Sequence, residues 1–155
     1  MDEPERKPGR QSVPTAAWRL VRAIGYPEEI PEGAASCLLR VDGAEVRCGE
    51  LDGRVVLSCA LTQDAAALPA LAGYAVGRML KEEATLAYGE EPCVPEDGES
   101  SAAAFLWQDA PTGVSATQLR RLFEDFMHSC DWWRARVDAM HEDERTLPET
   151  VVIRP

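Results

Sequence analysis

The chain has 155 residues, 45% of them hydrophobic and 28% charged, with a net charge of −11. A single domain of that length can bury roughly 70% of its unfolded surface and needs neither disulfides nor a metal to be stable. Two lysines and fourteen arginines against 27 carboxylates argue against nucleic-acid binding, which needs a basic field for the phosphates, and disfavour an anionic membrane surface.

Residues 1–12 alternate charge with Pro8 and Gly9 and read as a disordered arm without the apolar run of a signal peptide. No stretch reaches the eighteen or so apolar residues of a membrane span. A soluble, cytoplasmic protein with no membrane insertion is expected. The five cysteines, Cys37, Cys48, Cys59, Cys93 and Cys130, are odd in number and form no CxxC pair, so they read as reduced thiols.

Folded structure is expected over residues 13–141. Pro14 suits the first position of a short helix in which Ala17, Leu20, Val21 and Ile24 share a face and Trp18 flanks it. Gly25, Tyr26 and Pro27 stop it. At about three turns this helix is marginal alone and must dock on the body or on a partner. After a connection rich in Pro and Gly, three strands are predicted as a meander. Cys37, Leu39 and Val41 alternate with polar residues before Asp42-Gly43, a two-residue hairpin signal, and Ala44, Val46 and Cys48 continue the pattern. A second Asp-Gly, at 52–53, leads into the third strand, with Val55, Leu57, Cys59 and Leu61 on one face and Val56, Ser58 and Ala60 on the other.

Pro69 opens a second helix to about Glu83, with Leu68, Leu71, Ala72, Ala75, Val76, Met79 and Leu80 as its apolar set. Gly73 and Gly77 each cost a helix about 1 kcal/mol relative to alanine. Close approach of another backbone is the compensation expected, either on the chain's own sheet or in a helix–helix dimer. Short strands follow at 84–88 and 102–108, separated by an acidic stretch, 89–101, that reads as a mobile loop. The last helix, expected over 116–140, carries a stripe of Leu119, Leu122, Phe123, Phe126, Cys130, Trp133, Val137 and Met140. Ser115 and Gln118 form a capping-box pattern before it. Residues 142–155 read as a flexible tail. The fold class is therefore α+β, a single domain of helix, three-stranded antiparallel meander, helix, two strands and long helix.

No constellation of catalytic groups emerges. His128 and Cys130 lie two apart on a helix and point to different faces, and Cys130 falls in the apolar stripe. His141 sits at the helix end, where a cation suits the dipole. Cys37, Cys48 and Cys59 all fall on the apolar phase of their strands, without the further ligand that a metal site needs. Phosphate-cradling Gly-rich loops, nucleophile elbows and His-Glu-x-x-His helices are absent. No enzyme activity, cofactor or metal is expected. Trp132, beside Trp133, lies at the edge of the stripe, either covering the sheet rim or exposed for a partner.

The order of elements in a small acidic chain resembles the class I type III secretion chaperone family. The most specific stretch is Phe105-Leu106-Trp107-Gln108-Asp109-Ala110-Pro111 leading into the helix with Phe123, Phe126, Trp132, Trp133 and Arg134. Leu68-Pro69 with Leu71, Met79 and Leu80 resembles the family's dimer-forming helix. The likeness covers about residues 15–140, and the inserted Lys81-Glu82-Glu83 and the long acidic loop depart from it. It implies a bacterial, cytoplasmic homodimer holding the N-terminal segment of a secreted effector in extended form, with the secretion ATPase as a further partner. Partner-binding residues on this reading are Trp18, Leu20, Val21, Ile24, Leu38, Val56 and Trp132, and dimer-interface residues are Leu71, Gly73, Val76, Gly77 and Leu80. Two alternatives stay open: a small regulatory module that binds a folded protein, and an enzyme using Cys130 or Cys93 as nucleophile.

Overall fold

A computed structural model describes residues 14–78, 84–93 and 102–146. Helix α1 (Ala16–Ile24) is followed by the meander β1 (Ser36–Val41), β2 (Ala44–Leu51) and β3 (Arg54–Thr62). A 3₁₀ turn, Ala65–Ala67, leads into α2 (Leu68–Arg78), and β4 (Thr85–Tyr88), β5 (Ala104–Pro111) and α3 (Ala116–Thr146) complete the order. This is the α+β arrangement expected from the sequence. All five strands form one antiparallel sheet in the order β1-β2-β3-β5-β4.

Both hairpin turns work as the Asp-Gly pairs predict. Asp42 and Gly43 have φ of 49° and 79°, and Asp52 and Gly53 have 51° and 74°, the left-handed pair that matches strand twist in a type I′ turn. That register puts Leu39, Val46, Leu57, Cys59 and Leu106 on one face, where they are buried beneath the helices. The stripe of α3 meets them there: Leu119, Phe126, Cys130 and Trp133 are buried against the sheet, and Met140 is half-buried at its end. Each fully buried Leu or Phe contributes about 1.5–3 kcal/mol.

Three boundaries differ from the sequence reading. Helix α1 begins at Ala16 and not at Pro14: Thr15 caps it, its side chain accepting from the Trp18 N–H, and Glu50 Oε1 takes the Ala16 N–H. A Thr oxygen satisfies a free donor, which Pro14 has no side chain to do. Gly25 ends the helix in the left-handed region at φ 70°, as its place in the sequence predicts. Helix α3 continues to Thr146, so the first part of the expected tail is helical. The expected mobile loop also begins as packed chain: Glu91 is buried, and a Cβ added to Gly49 would lie 2.6 Å from Cys93 Sγ. The expected arm at 1–12, the end of the second helix at 79–83, the rest of the acidic stretch at 94–101 and the tail from 147 lie outside the described residues.

Candidate partner-binding surfaces

Helix α1 is fastened on several sides. The Arg19 guanidinium donates to the carbonyls of Thr112 and Val114, in the β5–α3 connection. The Thr15 hydroxyl donates to the Glu32 carbonyl at 3.1 Å. The amphipathic phase sends Leu20 and Val21 into the core, which corrects their assignment to a partner-binding surface: the chain itself already covers them. Trp18 is half-buried, with the Arg22 guanidinium 5.0 Å above its ring. Trp18 and Arg22 line a cavity of about 450 Å³ with Tyr26, Glu28, Glu29 and Glu32.

Ile24 is also half-buried, and it lines a cavity of about 630 Å³ together with Tyr26, Leu38, Arg40 and Phe123 at the β1 edge. Tyr26 closes part of that edge by accepting the Arg40 N–H at 3.1 Å. Leu38 is 39% exposed there. The alternation of the strand turns Leu38 away from the helices, and the same register rule places Val56 on that outer face at the centre of the sheet. Val56 is largely buried.

Helix α2 shows two unlike sides. Leu71 and Ala75 are in the core, so Leu71 is not an accessible dimer contact, contrary to the sequence reading. Pro69, Ala70, Ala72, Gly73 and Tyr74 are exposed, and nothing lies within 4 Å of where a Gly73 Cβ would be. Gly73 therefore does not serve close packing within the described chain. Val76 and Gly77 continue the helix, their surroundings lying outside the described residues, and Leu80 lies wholly outside them. Tyr74 meets Trp132 edge to face at 6.4 Å, Trp132 meets Trp133 at 5.1 Å, and the Arg136 guanidinium lies 4.9 Å over Trp132. Trp132 thus bridges α2 and α3 as a half-buried ring.

The thiols lie in apolar or packed surroundings. Cys59 and Cys130 meet between β3 and α3, and the hydrogen bond to Cys59, followed by burial, pushes the Cys130 thiol far up. Cys48 stands opposite Cys37 in the β1–β2 register and is raised by the bond to Cys37 and by burial. Burial also raises Cys93. A nucleophilic cysteine needs the opposite shift; Cys37 and Cys59 have it, each from its thiol–thiol bond to Cys48 or Cys130 with burial opposing it, while His128 is exposed on α3 and Cys130 is fully buried. Among the described residues no group of three or more His, Cys, Asp and Glu could hold a metal ion, and no described helix is long and apolar enough to cross a membrane.

Sequence reasoning missed the outer face of the sheet. After β4 the chain crosses it: Glu91 accepts from the Ser58 hydroxyl at 3.0 Å and pairs with Arg47 at 3.5 Å, and Cys93 fits against Gly49. The segment 89–93 is thus a strap over β3 and β2. Ser58, between Leu57 and Cys59 on a strand buried on both faces, is the one signal in the sequence that a polar partner must cover it. No protein-family model matches this sequence, and no curated protein matches it.

Proposed function

We propose that the chain is a dimeric, non-enzymatic chaperone that holds the N-terminal segment of type III secretion effectors in an extended, secretion-competent form in the bacterial cytoplasm. The observation that carries this reading is the exposed flank of α2, where Ala70, Ala72 and Gly73 stand open among the described residues beside Tyr74, on a helix whose other flank is core. It is a surface of small and aromatic residues suited to a second copy. The order of elements resembles the same chaperone family, and the half-buried Trp18 and Ile24 and the exposed Leu38 around the cavities beside α1 and the β1 edge supply places for apolar anchors. An unfolded segment can wrap such a surface, seating a few side chains and pairing with a strand edge.

The raised Cys93 and Cys130, the two thiols considered as nucleophiles, support binding over cysteine chemistry. Co-expression with the N-terminal segment of a type III secretion effector tests the reading. A stable complex of two copies with one effector segment, whose effector part gains no melting transition of its own, is expected. Binding only to a folded partner domain would favour the regulatory-module alternative.

A further inference from the structure

On the sheet face away from the helices, between the strap and the β2–β3 turn, lies a cavity of about 400 Å³. Val56 and Phe105 form a nearly buried floor, and Trp107, Pro92 and Leu51 wall it, with Leu51 46% exposed. The rim is acidic. Asp52, Glu90 and Asp109 lie on it, and its one cation among the described residues, Arg54, is held by the Asp109 carboxylate through contacts of 2.7 and 3.4 Å. Asp52 and Glu90 remain without a basic partner among the described residues. The whole chain carries −11.

An apolar slot ringed by unneutralised carboxylates favours an apolar side chain flanked by cations. We infer that this slot docks an extended peptide segment in which a large aliphatic or aromatic anchor is bordered by Lys or Arg. The anchor fills the space over Val56 and Phe105, and the flanking cations meet Asp52 and Glu90. The inference rests on the reading of the chain as a binder of extended segments and specifies the chemistry of one stretch of the partner. It also explains why Leu51 sits exposed beside a type I′ turn whose first residue is a carboxylate.

Fluorescence anisotropy tests it on the full chain with two labelled peptides: one with single leucines flanked by lysines, and its counterpart with glutamates instead. The lysine peptide should bind in the micromolar range and lose affinity with added salt, and the glutamate peptide should not bind. Leu51→Ser should weaken the lysine peptide about tenfold. Asp52→Asn with Glu90→Gln should weaken it about threefold and flatten the salt dependence, while Asn-Gly keeps the hairpin turn intact. Trp18→Asp should leave this peptide unaffected. Binding that ignores the slot variants and is lost in Trp18→Asp overturns the slot and leaves the binder reading standing. Equal binding of both peptides, or a change from dimer to monomer on Leu51→Ser, also overturns it, the latter making the slot an interface between copies. No binding of either peptide overturns the slot and removes support from the binder reading as well.

Discussion

Arg47 Nε lies 3.5 Å from Glu91 Oε2 on the outer face of the sheet, and the side chains are only 18% and 4% exposed. The Ser58 hydroxyl donates to the same carboxylate oxygen. Three residues from two strands and a strap thus satisfy one another where the sheet would otherwise be bare. Removing one member of a buried pair leaves the other charge uncompensated, which is costlier than the pair is stabilising.

Glu91→Ala should therefore lower the urea midpoint by an amount equal to about 1–2 kcal/mol, the residual exposure of Arg47 moderating the loss. Glu91→Gln should cost less, because an amide oxygen still accepts from Ser58. Equal midpoints for wild type and Glu91→Ala would mean that the strap is not held by this pair.

Gly73 tests the exposed flank of α2. Among the described residues nothing lies within 4 Å of a Cβ at that position, and replacing a mid-helix glycine gains up to about 1 kcal/mol. Gly73→Glu should accordingly raise the melting temperature of the monomer while shifting the dimer toward monomer in light scattering. A variant that stays dimeric would move the dimer contact away from this flank.

Trp18 separates surface from core. It is half-buried beside a cavity with three glutamates, whereas Leu20 and Val21 are wholly interior. Trp18→Asp should keep the circular dichroism spectrum and the dimer, and weaken capture of the effector segment about tenfold or more, equivalent to about 1.4 kcal/mol. Leu20→Asp should unfold the chain. A folded Trp18→Asp variant with unchanged capture would remove this face from the binding surface.

Alkaline stability reports the buried thiols. Cys48 and Cys130 keep their protons in the folded chain where unfolded thiols, with an ordinary value of about 8.5, release them. Above that value the folded state binds more protons than the unfolded one, so stability is full below it and declines as pH rises toward the raised folded values. Cys37 and Cys59, lowered by the same thiol–thiol bonds, act in the opposite sense below that value, so the decline belongs to the alkaline side, where Cys48 and Cys130 govern it. Cys130→Ala should flatten the decline in urea midpoint between pH 8 and 10, at the cost of lower stability at pH 7 from the lost packing.

The parts of the fold written in local chemistry were legible before the structure. Asp42-Gly43 and Asp52-Gly53 announce their turns because only a few residues accept positive φ there. Ser115 and Gln118 exchange the two hydrogen bonds of a capping box, at 2.8 and 3.2 Å. The α3 stripe is readable because its period is that of a helix. Glu91 was not legible: two adjacent glutamates in a Pro-containing acidic stretch look solvated, and only Arg47 and Ser58, brought beside them by strand pairing, reverse that. The docking slot is hidden for the same reason, since Leu51, Phe105 and Pro92 meet only through the sheet and the strap. Leu20, Val21 and Leu71 show the opposite limit. Periodicity places them on an apolar face, but which apolar face is covered by the chain itself is decided by packing.

Light scattering of this chain co-purified with the N-terminal segment of a type III secretion effector tests the central claim most directly. The account predicts a mass of two copies with one segment, the segment remaining protease-sensitive wherever it is not in contact. A monomer that retains no such segment at micromolar concentration would contradict it.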